Sequence, residues 1–267
     1  MSSQTKTRRK TVVEAASTDD FLGGRISIVQ PRVGHRAGSD AVFLASAVPA
    51  RGGKRVLDVG AGVGVAGLCL LARVPDIEVT AVEIDAELCA LAEHNAARNG
   101  FTDRFKPVNV DVTGPAKALR EAGLDRERYD EIIANPPFLA EGAVRAAPDR
   151  ARATAHIMGA EGLAAWMRFF ATFAAPKGRL TLIHRAEALT ELLGLLDGRF
   201  GDIAVFPLFP KKGEPATRII LQGRKGSRTG PRLLPGLVLH EQNGSYTAGA
   251  EAVLRGGEVL DLGKLPA

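Results

Sequence analysis

From Lys54 to Gln222, short apolar runs rich in β-branched residues alternate with longer stretches whose apolar positions recur at i, i+3 and i+4. That alternation predicts βαβ units and a parallel sheet. Arg55–Val59 reads as a first strand, followed by glycines and an apolar helix over Val65–Arg73 that must stop before Pro75. Glu78–Val82 is a second strand. Asp85 can cap the next helix, in which Leu88, Leu91 and Ala92 share a face until Gly100 ends it. Lys106–Val110 and Asp130–Ala134 are the third and fourth strands. Leu163–Ala174 is helical, Arg179–Ile183 is a fifth strand, and Glu187–Leu196 is a further helix. The last two strands, Asp202–Phe206 and Arg218–Gln222, have no helix between them. A parallel crossover needs about a dozen residues or more, so this pair must be an antiparallel hairpin. The expectation is an α/β chain with a seven-stranded, mostly parallel sheet ending in that hairpin.

Charge changes the picture once it is located. The net charge is +5, but Lys6, Arg8, Arg9 and Lys10 stand in residues 1–10 with no acid. Residues 211–232 carry Lys211, Lys212, Arg218, Arg224, Lys225, Arg228 and Arg232 against Glu214 alone. Basic charge gathered in two segments suits a polyanionic partner. Cys69 and Cys89 fall in helical stretches with no CxxC spacing, and the five histidines are scattered. Neither a disulfide nor a metal site is expected. No apolar run approaches the roughly 18 residues that span a bilayer. The polar, basic start lacks the apolar segment of a secretory signal, so a cytoplasmic protein is expected. Residues 1–20 read as a disordered basic tail, 21–225 as the main domain, and the Gly- and Pro-rich 226–267 as an appendage packed on it.

The chemistry lies at the ends of the strands. Asp58-Val59-Gly60-Ala61-Gly62-Val63-Gly64 follows the first strand and opens a helix, so backbone can approach a ligand closely and the helix N-terminus favours an anionic group. The spacing is G-x-G-x-G, not the dinucleotide G-x-G-x-x-G. Glu83 ends the second strand, where an acid would bond ribose hydroxyls. Asp111 follows the third strand, placed to meet an adenine amino group. Asn135-Pro136-Pro137-Phe138 ends the fourth. Its two prolines lock φ and lack N–H groups, so the carbonyls here are not consumed by a sheet ladder. The Asn135 amide oxygen and the neighbouring carbonyl can accept both hydrogens of an exocyclic amine, and Phe138 offers a face on which a flat base stacks. Each feature alone has an ordinary structural explanation; all four fall where open α/β sheets bind ligands.

These residues resemble the class I S-adenosylmethionine-dependent methyltransferases with a Rossmann-like fold, and NPPF resembles their amino-methylating branch. The similarity extends to the bacterial tRNA1(Val) adenine-37 N6-methyltransferase family. Gly34–Leu44 looks like that family's segment closing over the methionine end of the cofactor, within residues 21–53. Ala153–His156, Lys177–Leu180, His184-Arg185, Leu239-His240 and Ser245–Thr247 are similar to its later blocks. The resemblance implies S-adenosyl-L-methionine as cofactor, held by Asp40, Gly60, Gly62, Glu83, Asp111 and Asn135, and the same loop adds Asp58 and Gly64 as candidate contacts. It implies Asn135, Pro136, Pro137 and Phe138 as the amine-holding catalytic motif. Lys211, Lys212, Arg224, Lys225 and Arg228 are the expected nucleic-acid contacts, with tRNA as partner. Phe138 departs from the Tyr of many relatives, and Leu139–Arg152 has no clear counterpart.

The motif leaves alternatives open. Guanine-N2 methylation of rRNA and glutamine-N5 methylation of release factors present a planar nitrogen to the same residues, though the basic segments favour nucleic acid. A non-catalytic RNA-binding protein that kept the fold is the reading from another class. An intact donor site and amine clamp argue against it. Oligomeric state and metal content have no signature in the sequence beyond the absence of ligand clusters.

Overall fold

Alternate residues along the central strands enter two different hydrophobic cores. Val56 and Ile133 belong to one, and Leu57, Val59, Ile132 and Ala134 to the other. A sheet covered on both faces by helices follows, as a parallel sheet requires. The computed structural model describes residues 16–33, 36–136 and 160–263. Its parallel strands are β3 (Arg55–Val59), β4 (Glu78–Glu83), β5 (Phe105–Asn109), β6 (Tyr129–Ala134) and β7 (Ala174–Arg185). Strands β8 (Phe200–Lys211) and β9 (Arg218–Lys225) form the expected antiparallel hairpin, with β9 antiparallel to β7. The order β5-β4-β3-β6-β7-β9-β8 reverses direction of growth at β3, which makes the carboxyl ends of β3 and β6 the switch point where such sheets bind ligands.

One face carries α1 (Ser39–Ala47), α2 (Val65–Arg73) and α3 (Ala86–Arg98); the other carries α4 (Ala116–Glu121), α5 (Ala160–Phe173) and α6 (Leu189–Leu196). Asp85 caps α3 by accepting from the Glu87 and Leu88 amides, and Gly100 follows the helix at φ +74°.

The sheet is larger than seven strands. Two short strands near the C-terminal end, β10 (Arg232–Leu233) and β11 (Leu237–His240), pair in parallel with the outer edge of β8, giving nine among the described residues. A strand also stands earlier in the chain than the sequence implied. Residues 16–20 belong to β1 (Ala16–Phe21), a hairpin partner of β2 (Ile26–Pro31), and not to the tail. Cys69 and Cys89 are free and buried, and burial pushes their thiols up to about 12 and about 11. No described helix is long and apolar enough to cross a membrane.

Candidate active site

The loop from β3 to α2 turns on glycine. Gly60, Gly62 and Gly64 have φ of +69°, +57° and +87°, a region that favours residues without a Cβ. The Gly60 and Ala61 amides donate to the Val82 carbonyl at 2.9 and 3.0 Å, pinning the loop to the end of β4. The three glycines face different neighbours. A Cβ on Gly60 would lie 2.6 Å from the Trp166 ring, and one on Gly64 2.9 Å from Phe105; one on Gly62 would meet nothing within 4 Å. Gly60 and Gly64 are therefore packing positions, whereas Gly62 borders space that no described residue fills.

Glu83 is 8% exposed at the end of β4. Its Oε2 accepts from the Gly62 amide at 2.8 Å and its Oε1 from the Asp85 amide at 2.9 Å. Each carboxylate oxygen has a second lone pair, so both can still accept from a ligand hydroxyl. Burial raises the Glu83 pKa, and the two amide bonds oppose that shift. The Asn109 amide of β5 donates to the Glu83 and Ile84 carbonyls at 2.8 and 2.9 Å and fixes the backbone on which Glu83 stands. Asp111 Oδ1 closes a turn by accepting from the Thr113 amide and hydroxyl at 2.8 and 2.7 Å.

Asp58 was expected among the ligand-binding acids and takes a different position. It is 2% exposed, behind the loop, where its Oδ2 accepts from the Gly67 amide at 3.0 Å. Burial, with Glu83 nearby, pushes its carboxyl up to about 7. It braces the start of α2 instead of lining the open space. Asp40, in the first turn of α1, pairs with Arg218 Nε at 3.0 Å. One residue counted in the basic segment is thus engaged beside the site.

Asn135 and Pro136 follow β6 on the same rim as Gly60 and Glu83. The Asn135 Oδ1 is buried and accepts no hydrogen bond from any described residue. A buried amide oxygen without a donor costs about 1–3 kcal/mol, so the atom calls for a donor from a ligand, a water or a relaxed neighbour. Pro137 and Phe138, and the loop to Arg152, lie outside the described residues.

Sequence reasoning missed several neighbours. Ile84 is 43% exposed directly after Glu83 and offers an apolar face beside that carboxylate. The signal was one more apolar residue than strand β4 needed. Trp166 on α5, 3% exposed, packs against Gly60 and sets the floor of the loop. Asn95 on α3 is completely buried. It accepts from the Val29 amide at 2.8 Å and donates to the Val29 and Val63 carbonyls at 3.0 Å, tying β2 to the glycine loop.

The expected nucleic-acid residues do not form one surface. Lys211 and Lys212 stand at the end of β8, on the rim that holds Asn135. Arg224 and Lys225 end the antiparallel β9, on the opposite rim, where Arg224 lies opposite Arg179 in the register. Lys225 already donates to Glu127 and to the Ala174 carbonyl at 2.9 and 2.8 Å. Arg228 follows in the turn whose Gly226 amide bonds Arg199, again on that far rim.

The comparisons with known proteins agree with this geometry. The methyltransferase small domain matches residues 36–157. A tRNA1(Val) (adenine(37)-N6)-methyltransferase of Tolumonas auensis is 31% identical over 176 residues, 66% of this chain and 70% of that one. The chain belongs to this family. It is an S-adenosyl-L-methionine-dependent methyltransferase, as the resemblance in its motifs implied. The Trichodesmium erythraeum protein of the same name is 29% identical over 204 residues, covering 73% of this chain and 81% of its own. A crystal structure from Agrobacterium tumefaciens, described as a predicted O-methyltransferase, superposes with a TM-score of 0.70 at 29% identity. It spans 83% of this chain and 98% of that one.

Proposed function

We propose that the protein transfers a methyl group from S-adenosyl-L-methionine to the exocyclic N6 of an unpaired adenine in tRNA, of the anticodon-adjacent, position-37 type. The observation that carries this reading is the buried, unpartnered Asn135 oxygen at the strand end beside the glycine loop. The sulfonium of the bound cofactor supplies an already activated methyl group, so no covalent enzyme intermediate is needed.

The chain's own residues then bind and orient. Gly62 and its neighbours let backbone approach the cofactor, and Glu83 accepts from the ribose hydroxyls. Ile84 covers one face of the cofactor's adenine, and Asp111 meets its amino group. Asp40 borders the methionine end. Asn135 Oδ1 and the Pro136 carbonyl accept the two hydrogens of the acceptor amine. That draws the nitrogen toward tetrahedral geometry and aims its lone pair at the methyl. An amide cannot act as a strong base, so the proton leaves to water after transfer. The resemblance gives Phe138 the role of stacking the acceptor base. Lys211 and Lys212, on the same rim, hold phosphates of the RNA. An unstacked base in a single-stranded loop enters such a cleft at least cost.

The name of the Agrobacterium structure raises a hydroxyl acceptor as a second reading. A hydroxyl has one hydrogen, whereas the two carbonyl acceptors suit the two of an amine. The test offers purified protein and labelled cofactor to total tRNA, rRNA and release factor in parallel, followed by nucleoside analysis. Label in tRNA as N6-methyladenine is expected. Label as N2-methylguanine in rRNA, as methylglutamine, or on any oxygen overturns the reading.

A further inference from the structure

The rim opposite the active site carries a cavity of about 770 Å³, walled by the starts of β3, β6 and β7, the end of β9 and the segment Val259–Gly263. Its volume falls in the range of small-molecule sites, roughly 300–1,000 Å³, and far exceeds what a lone inorganic ion fills. The Leu260 amide donates to the Ser46 carbonyl at 3.0 Å and holds one wall in place.

Two features of the lining ask for different groups on one ligand. The first is cationic. Arg51, Lys177, Arg179 and Arg224 line the cavity. Lys54 is paired with Asp130 at 3.0 Å, and Arg73 bonds the Ala45 and Val48 carbonyls, so those two are already engaged. Arginines in this arrangement suit a phosphate, which they bind bidentately. The second feature is a buried acceptor. The Glu131 side chain is 5% exposed, and its Oε1 lies 3.9 Å from Arg179. Its Oε2 is buried and accepts from no described residue. The strand register sets Glu131 between Val56 of β3 and Arg179 of β7, at the floor of the cavity. Asp261 also lines the cavity, so the lining asks for N–H or O–H donors and an anionic group on the same ligand. Val259, 52% exposed, and Leu260 add an apolar wall where a flat ring packs.

We propose that this cavity binds a free guanine nucleotide, with its phosphate on Arg179 and Arg224 and its base edge on Glu131. Guanine presents two adjacent N–H donors, N1–H and the N2 amino group, on one edge, which is what a carboxylate accepts. Adenine and cytosine place an acceptor beside their amino group and so confront the carboxylate with a lone pair. The cavity lies across the sheet from Gly62 and Asn135, so the nucleotide and the methyl donor bind without competition.

The test is calorimetric titration of the full chain with guanosine 5′-monophosphate, with and without saturating S-adenosyl-L-homocysteine. Adenosine 5′-monophosphate, guanosine and inorganic phosphate are run alongside. One site is expected, at least tenfold tighter for the guanine nucleotide than for the other three and unmoved by the cofactor product. Glu131→Gln and the double substitution Arg179→Ala, Arg224→Ala should each weaken it at least tenfold while methyl transfer persists. Arg224 is exposed, so its change keeps the test valid should the buried Glu131 variant fail to fold. Equal binding by wild type and the arginine variant, displacement by the cofactor product, or phosphate binding as tightly as the nucleotide overturns the proposal. So does absence of heat at millimolar nucleotide. A loss of tRNA affinity in the arginine variant would also overturn it, by making this rim part of the RNA surface.

Discussion

Glu83→Gln separates the two tasks assigned to that carboxylate. The side chain holds the Gly62 and Asp85 amides, at 2.8 and 2.9 Å, and is proposed to accept from the ribose of the cofactor. Glutamine keeps the length but turns one oxygen into an NH2 donor, which must face either a main-chain N–H or a ribose hydroxyl. One charge-assisted hydrogen bond is worth about 1.5–3 kcal/mol. At about 1.4 kcal/mol per decade, the cofactor should bind roughly 10- to 150-fold more weakly. The fold should survive, because removing a charge that burial already disfavours offsets part of the lost amide bonding. Calorimetry gives the affinity and a thermal melt of the same sample gives the fold. Glu83→Ala, which removes every acceptor, should nearly abolish binding. The raised pKa adds a pH signature: as pH falls toward it, the wild type loses the carboxylate and with it affinity, whereas the glutamine variant shows no such loss. Wild-type affinity in a folded Glu83→Gln protein would refute the ribose contact.

Gly62→Ala should bind the cofactor weakly and lose about 1–2 kcal/mol of stability to its φ of +57°, while Gly60→Ala should lower the melting temperature further, because a 2.6 Å clash with Trp166 adds to its own positive φ. Lys211→Ala with Lys212→Ala should weaken RNA binding and reduce the salt slope by about 0.7–0.9 per lost phosphate contact. The same changes at Arg224 and Lys225 should leave that slope unaltered, because they end on the far rim; filter binding across a salt series decides. Asp58 and Glu131 both have carboxyls pushed up to about 7 from 3.8 and 4.5. Between those values the folded state binds more protons than the unfolded one, so stability should fall as pH rises from about 4 to 7. The double variant Asp58→Asn, Glu131→Gln should flatten that dependence in denaturant titrations.

The central strands were legible because β3 to β6 are apolar runs cut off by Gly, Pro or a strand-end acid, and each lies within one residue of its expected bounds. Strand β8 was not. Pro207 and Pro210 read as terminators, yet β8 runs through both to Lys211: Pro207 pairs opposite Ile219, and beyond Leu208 the strand is joined by β11. The hairpin of β1 escaped notice because Ala16–Phe21 is a covering strand with little apolar alternation. It is held by polar contacts such as Arg36 on Asp19. Of the candidate site, the placement of the glycine loop, Glu83 and Asn135 on one rim was readable from their positions at strand ends. The retreat of Asp58 to Gly67 was not, since the same D-x-G spacing suits a brace and a ligand contact alike. Nor was the division of the basic segment. A hairpin sends the two ends of one charged stretch to opposite rims, and only the pairing of β8 with β9 reveals it.

Asn135 is proposed to hold the acceptor nitrogen as the methyl moves. The most direct measurement compares wild type and Asn135→Ala for cofactor affinity, by calorimetry, and for the single-turnover rate of labelled methyl transfer to tRNA. Cofactor affinity within a few-fold of wild type and a rate lowered about 100-fold or more are expected, as for a donor or acceptor that acts in the transition state. A folded Asn135→Ala protein that methylates tRNA at near the wild-type rate would contradict this role.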